Sequence, residues 1–277
     1  MEEFKKVIWI GIILIAIIGI GFGIYYFFFY GKPEEALLAE KVVEEKPSEV
    51  QIEEPDREEA ERVLTERELD LDKSDDLVRK FATKVSSHPR TTAWLKNEDL
   101  VRRFVAVADN IANGMSPRPH LEFLVPPKKF SVIKEGDSFF LDPDSFSRYN
   151  LITEVFASLD TEECVKLYWE FKPLIQEAYL DLGYPTQDFH DTFLKAIVEL
   201  LKVPVVYEEI LLEKKVVTYM MADPKLEELS LAQKHLLRMG GSNVRKIQTK
   251  LQELARVLGI PEDQIPQPEV YSPLKKR

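Results

Sequence analysis

Residues 234–251, KHLLRMGGSNVRKIQTKL, place two glycines between two segments rich in leucine and basic residues. Gly240 is predicted to end one helix with a positive φ, and Ser242 or Asn243 to cap the next. The segment before the glycines contains the apolar residues Leu231, Leu236, Leu237 and Met239. In the segment after them, apolar residues recur every three or four positions, at Val244, Ile247, Leu251, Leu254 and Leu258. This spacing predicts a corner between two helices that are both packed into a core.

A phosphate or anionic-lipid site is the alternative interpretation of the same stretch. Basic side chains surround a predicted helix N-terminus, whose free N–H groups attract anions. The spacing of a P-loop is absent, however. The corner is favoured because capping and packing account for every residue of the turn. The residues of the alternative site are Lys234, Arg238, Ser242, Asn243 and Arg245.

Further helices are predicted upstream of this corner. Ser74, Asn97 and Thr186 are each expected to cap a helix, and Thr161 opens another, in which Pro173 should cause a kink or a break. Two β-branched stretches predict separate hairpins. One turns at residues 135–137 and the other near residues 213–214. The expected fold class is mainly α: a helical domain over residues 74–260 with two small β-hairpins, then a proline-rich disordered tail over residues 261–277.

The N-terminal residues 1–31 are predicted to be a membrane anchor. Residues 7–30 carry no charge, which is long enough for a transmembrane helix, and no small-x-small cleavage site follows. Two lysines, Lys5 and Lys6, precede the run and one follows it, which favours an N-terminus in the cytoplasm and the remainder in the periplasm or outside. Gly19 and Gly23 have the spacing of a helix-pairing motif, which would allow a homodimer; the alternative interpretation is that glycine is simply common in membrane helices.

Residues 32–73 are predicted to be an acidic, flexible linker. Residues 32–76 contain 18 acidic and 7 basic residues, an excess that equals the formal net charge of −11 for the whole chain. The following residues carry balanced charge. A nucleic-acid-binding domain is therefore excluded, since it would carry a basic excess.

No catalytic, cofactor-binding or metal-binding residue is predicted. The stretch from Asp188 through His190 to Asp191 is the most metal-like, but acids are expected at a helix start and further ligands are lacking. Cys164 lies on a predicted apolar face and is expected to be an inert buried thiol. No dinucleotide fingerprint or nucleophile elbow occurs. No cofactor is implied.

Two aromatic clusters admit two interpretations. Arg148 and Tyr149 begin one helix, and Tyr179 and Tyr184 end another. Tyrosine is common in cores, so packing with bonded hydroxyl groups is the favoured interpretation. The alternative is an interaction groove, because Tyr and Arg are enriched in binding hot spots.

Five motifs occur in order along residues 74–260: SDDLVRKFATKV, LVRRFVAVADNIANG, the Arg148-Tyr149-Asn150 step, PLIQEAYLDLGYP and ADPKLEELSLAQKHLLRMGGSNVRKIQTKL. In these the chain resembles an uncharacterised bacterial envelope family, the domain of unknown function numbered three thousand and fourteen. The resemblance implies a single-pass bacterial membrane protein. It brings no activity, cofactor or catalytic residue.

The function expected from these observations is a binding or scaffolding module of the cell envelope. It would be held at the bacterial inner membrane, face the periplasm and engage an envelope protein. One alternative is an envelope enzyme that acts on lipid or cell-wall material. Another is a cytoplasmic domain tethered to the membrane, which the reverse orientation would produce.

Overall fold

The computed structural model describes residues 70–86, 88–126, 128–216 and 218–273, without the side chains of Thr83 and Thr92. The predicted anchor with Gly19 and Gly23, and the linker as far as residue 69, lie outside the described residues. Within the described ranges, every helix is too short or too polar to cross a bilayer.

Helices make up most of the described chain. The α-helices are α1 Ser74–Val85, α2 Pro89–Trp94, α3 Leu100–Ala112, α4 Asp144–Ser147, α5 Asn150–Ala157, α6 Thr161–Asp181, α7 Phe189–Leu201, α8 Pro224–Glu227, α9 Leu231–Leu237 and α10 Gly241–Val257. Short 3-10 helices occur at Leu71–Lys73, Arg118–His120, Glu122–Leu124 and Glu262–Gln264. Helix α6 passes through Pro173 without interruption, so the predicted break is wrong.

The strands form a single antiparallel sheet in the order β1-β2-β3-β4. They are β1 Val132–Glu135, β2 Ser138–Leu141, β3 Leu211–Lys214 and β4 Tyr219–Met221. Phe139 and Phe140 of β2 pair with Leu212 and Leu211 of β3. The predicted fold class is wrong in two respects. The two predicted hairpins join into one four-stranded sheet, and the described residues contain no helix that could cross a membrane. Isolated two-stranded hairpins are marginal in water, which favours their union.

The core lies among α3, α6, α7 and α10, with one face of the sheet against it. The predicted stripe of α10 is confirmed, because all five of its apolar residues are buried. Leu231 is 58% exposed, so its predicted place in the core is wrong. It lies at the start of α9, where Ser230 caps the helix and the chain enters from the surface.

The three caps that were predicted at Ser74, Asn97 and Thr186 are not observed, and in α3 the cap comes from a distant side chain. Ser74 begins α1, and its Oγ donates to the carbonyl of Leu71. The N-terminus of α3 is capped by the carboxylate of Asp75, which accepts the backbone N–H groups of Asp99 and Leu100. The predicted Asn97 cap is therefore wrong. Asp188 rather than Thr186 caps α7.

The C-terminal residues 261–273 are folded against the domain, so the predicted disorder is wrong for them. Val205 and Val270 form a parallel bridge, and the Tyr271 hydroxyl donates to Asp223 at 2.9 Å. Ile265 is 3% exposed. At the other boundary, Leu71 is 5% exposed and belongs to the core, so the domain begins before Ser74.

Candidate functional site

The glycine corner between α9 and α10 is confirmed, and both glycines are required by close packing. Gly240 has φ +86, and a Cβ there would lie 2.5 Å from Cγ of Phe146. A Cβ on Gly241 would lie 2.4 Å from the carbonyl oxygen of Val206. Gly240 itself is the N-cap of α10, and Ser242 is exposed in the first turn. The capping roles predicted for Ser242 and Asn243 are therefore wrong.

Asn243 instead joins the corner to the segment between α4 and α5. Its side-chain amide donates to the carbonyls of Met239 at 2.9 Å and Phe146 at 3.1 Å. It also lies 3.0 Å from the side-chain oxygen of Asn150. The turn that carries Arg148 and Tyr149 is thus held directly on the glycine corner.

Arg148 is fixed in place by neutral oxygen atoms and aromatic rings. Its guanidinium donates to the carbonyls of Ser145 at 2.9 Å and Lys128 at 3.2 Å, and to the Tyr149 hydroxyl at 3.1 Å. Its central carbon lies 4.8 Å from the ring centroid of Tyr149 and 5.9 Å from that of Phe130. The cation is therefore positioned without the charge of a carboxylate to neutralise it.

A second cation-aromatic group on the sheet continues this one. The ring centroids of Phe130 and Tyr219 are 6.5 Å apart, and those of Tyr219 and Phe139 are 5.6 Å apart. Lys134 and Lys214 place their ammonium groups 5.9 and 5.8 Å from the ring centroid of Phe139. We name the combined surface the basic aromatic strip; its members are Phe130, Lys134, Phe139, Arg148, Tyr149, Lys214 and Tyr219.

The strip carries net positive charge. Within the described residues, no carboxylate oxygen comes within 4.0 Å of the nitrogen atoms of Lys134, Arg148 or Lys214. Other lysines nearby do form ion pairs, as Lys215 does with Glu213 at 2.8 Å. A cation over an aromatic face is attracted by the quadrupole of the ring and not by an opposite charge. The strip therefore offers both apolar area and unneutralised cations.

Tyr179 and Tyr184 lie apart from the strip, between α6 and α7. Their rings stack with centroids 4.6 Å apart, and Tyr179 is 1% exposed. The Tyr179 hydroxyl lies 2.8 Å from Oγ1 of Thr192 and donates to Gln187. Burial, together with Asp109, raises the pKa of Tyr184. The pair packs α6 against α7 through side-chain hydrogen bonds.

The residues of the predicted anion site are divided by the structure. Lys234 is buried and pairs with Glu227 at 2.6 Å. Arg238 is half-buried and lowers the pKa values of both Glu227 and His235, whereas Arg245 is exposed. For His235 burial is the larger cause. Lys234 and Arg238 thus both act on the carboxylate of Glu227, whereas Arg245 lies on the exposed side of α10.

His190 belongs to a polar cluster that the sequence analysis did not assemble. Its Nδ1 lies 3.0 Å from the hydroxyl of Tyr168, and its ring lies 5.1 Å from that of Trp169. Lys172 pairs with Asp188 at 3.0 Å. Burial and then Lys172 lower the pKa of His190. Tyr168 and His190 are 22 residues apart in the sequence, so no local pattern connects them.

Two further groups bear on chemistry. Burial raises the pKa of the Cys164 thiol to about 11, which agrees with the inert thiol expected from the sequence. A shallow, open depression lies between α1 and α6 and is lined by residues that include Lys84, Glu163 and Glu170. In the part of the chain that the structure describes, no group of three His, Cys, Asp or Glu residues has the arrangement of a metal site.

Residues 100–255 match a family described as "Protein of unknown function (DUF3014)". The chain belongs to the DUF3014 family. The predicted resemblance is confirmed, and the matched range includes the whole sheet, the strip and the glycine corner. No curated protein and no solved structure matches this DUF3014 chain. Its membership of the DUF3014 family brings no activity with it.

Proposed function

We propose that the domain is a binding module and that the basic aromatic strip is the surface that holds its partner. The observation that carries this proposal is the set of three cations stacked on aromatic rings without a carboxylate in ion-pair distance. Arginine and aromatic side chains are the residue types that dominate binding energies at interfaces. An anionic partner would supply the missing charges and cover the rings.

The ionisable groups elsewhere support binding more than catalysis. Catalysis requires ionisable side chains that converge in a pocket with pKa values matched to the reaction. His190 is bonded to Tyr168, Lys234 to Glu227, and Cys164 has a pKa of about 11. The strip, by contrast, reaches the surface, where Phe130, Lys134 and Lys214 are exposed. This distribution favours recognition of a partner over an envelope enzyme.

The place of the module is proposed from the sequence. The uncharged residues 7–30 support attachment to the bacterial inner membrane, and the two lysines before them support a domain in the periplasm. Attachment would restrict the module to the plane of the membrane and raise its local concentration near an envelope protein. A topology reporter fused after Arg277 tests this: activity confined to the cytoplasm would reject the periplasmic location.

Crosslinking in living cells tests the binding function. A photo-crosslinking phenylalanine derivative is placed at position 130, where Phe130 is 42% exposed within the strip. We expect capture of an envelope protein with an acidic segment, and loss of this product when Arg148→Gln and Lys214→Gln are combined. The matched control combines Lys195→Gln and Lys202→Gln, two exposed lysines of α7 and its C-terminal end. Capture of only lipid or glycan, or a product that is insensitive to the strip variant, would overturn the proposal.

A further inference from the structure

The two edges of the sheet differ in how they are covered. Strands β1 and β4 are the outer strands. On β4, the backbone N–H of Met221 donates to the carboxylate of Glu227 in α8 at 2.9 Å, so a side chain occupies that edge. On β1, the only strand partner among the described residues is β2. The outer side of β1 therefore has no strand beside it among the described residues.

The hairpin geometry identifies these backbone groups. Gly136 has φ +58 at the first position of a two-residue turn, and the turn is closed by the pair Glu135 and Ser138. In such a hairpin the closing pair is hydrogen-bonded, and alternate residues then direct their N–H and C=O groups outward. The hydrogen bond from the backbone N–H of Asp142 to the carbonyl of Ser131 agrees with this alternation. Val132 and Lys134 thus direct their backbone groups away from β2.

The side chains of this edge indicate the chemistry of a matching strand. Residues 128–134, KKFSVIK, contain three lysines and no acid. Lys134 lies on the same face as its cross-strand partner Phe139. Ile133, on the opposite face, is 37% exposed. Because strand side chains alternate between faces, a matching strand would place acids beside Lys134 and apolar residues beside Ile133.

We propose that the outer edge of β1 binds an extended segment of a partner protein, with alternating acidic and apolar residues, as a fifth strand of the sheet. This inference rests on the proposed function, since the added strand would lie along the basic aromatic strip. Lysines on an edge strand prevent pairing between identical edges. The same charges therefore exclude a second copy of β1 and favour an acidic partner.

The test compares two substitutions at one position in the full-length chain. The probe is a fluorescein-labelled ten-residue peptide of alternating glutamate and valine, and binding is followed by fluorescence anisotropy. Lys134→Gln removes the charge and keeps the N–H group, whereas Lys134→Pro removes both. Proline is tolerated at this position because the N–H that it lacks is directed away from β2 and takes no part in the pairing of β1 with β2. We expect Lys134→Pro to bind about tenfold more weakly than Lys134→Gln, the effect of one hydrogen bond of about 1.4 kcal/mol.

Hydrogen exchange on the unsubstituted chain provides a second readout that does not depend on the folding of the proline variant. The peptide should slow exchange at the amides of Val132 and Lys134 and leave that of Ile133, which already bonds to β2, nearly unchanged. A scrambled peptide with the charges grouped at one end is the control for non-specific attraction.

The outcomes separate this inference from the proposed function. Equal weakening by Lys134→Gln and Lys134→Pro, with no new protection at Val132, would overturn strand addition while the strip remained a binding surface. Binding that is unaffected by Arg148→Gln combined with Lys214→Gln would overturn the role of the strip as well. Binding to phosphatidylglycerol vesicles without binding to the peptide would also reject the inference.

Discussion

The side-chain amide of Asn243 lies 3.0 Å from the side-chain oxygen of Asn150, a residue 93 positions earlier in the chain. Through this contact and the bond to the Phe146 carbonyl, the first turn of α10 positions the segment that carries Arg148. The glycine corner is thus a structural support for the strip. Its conformation and its hydrogen bonds can be tested independently of any ligand.

Replacement of Asn243 by alanine should destabilise the domain. Asn243 is 4% exposed and its side-chain amide donates to three acceptors, so alanine removes these largely buried hydrogen bonds. We expect the free energy of unfolding to fall by about 1–3 kcal/mol, measured by urea denaturation. Ser242→Ala, at the exposed neighbouring position, is the control and should change it by less than about 0.5 kcal/mol. Equal effects of the two substitutions would contradict the role of Asn243.

Two glycines with positive φ differ in what surrounds them. Gly240 has φ +86 and lies against Phe146, whereas Gly259 has φ +89 with nothing within 4 Å of an added Cβ. Gly259→Ala should lower stability by about 1–2 kcal/mol, the cost of the left-handed region. Gly240→Ala should lower it by roughly a further 1–3 kcal/mol, because a Cβ would overlap Phe146 and because the ψ of 151 at Gly240 lies outside the left-handed helical region. Thermal or urea unfolding of both variants measures the difference, and equal losses would refute the predicted overlap with Phe146.

The carboxylate of Asp75 is predicted to stabilise α3 from a different helix. It accepts the backbone N–H groups of Asp99 at 2.9 Å and Leu100 at 2.8 Å. Asp75→Ala should therefore lower the free energy of unfolding by about 1–2 kcal/mol, as for the loss of an N-cap. Asp76→Ala removes the adjacent exposed acid and its ion pair with Arg79, and should change stability by less than about 1 kcal/mol. A larger loss for Asp76→Ala would contradict this assignment.

His190 should titrate below its ordinary pKa. Burial and then the charge of Lys172 lower the pKa of His190, whereas Asp188 and Asp191 act in the opposite direction. A histidine with a depressed pKa stabilises the fold above its unfolded pKa, and this contribution is lost as pH falls through the folded pKa. Lys172→Met should therefore raise the pKa of His190 and reduce this loss. The titration is followed by NMR of the imidazole Cε1–H group, and His190→Gln identifies the resonance.

Lys195→Met is the control for that titration, because Lys195 is an exposed lysine of α7 that is not among the groups that shift His190. It should leave the pKa of His190 nearly unchanged. A pKa of His190 that rises equally in both variants would show a general charge effect rather than the contact with Lys172.

Cys164 should resist alkylation in the folded protein. Burial raises the pKa of its thiol from 9.0 to about 11, so at pH 8 roughly one molecule in a thousand carries the reactive thiolate. Iodoacetamide labelling followed by mass spectrometry should be slow in buffer and complete in guanidinium chloride. Rapid labelling of the folded chain would contradict the burial of the thiol.

The same thiol predicts a pH dependence of stability. Below pH 9 the thiol is protonated in both the folded and the unfolded states. Between about 9 and 11 the unfolded state ionises first, so the free energy of unfolding falls as pH rises through this window. Cys164→Ala should remove this part of the slope, which urea denaturation at several pH values measures.

The sequence alone determined those features that depend on neighbours within a few residues. The stripe of α10 follows from its three- and four-residue spacing, and the corner follows from the position of Gly240 between two helical segments. The order of short motifs was enough to indicate the DUF3014 family. Helical periodicity and turn chemistry are local properties, so they can be recognised without a tertiary structure.

Only the tertiary structure decided which distant groups meet. The pairing of β2 with β3, the cap that Asp75 provides to α3 and the bond from Tyr168 to His190 each join separate segments. The basic aromatic strip likewise combines residues from β1, β2, β3, β4, the loop before β1 and the turn between α4 and α5. Such contacts form because folding offsets the entropy of closing long loops with burial and hydrogen bonds at a distance. The periodic pattern of one segment does not indicate which distant segment it will contact.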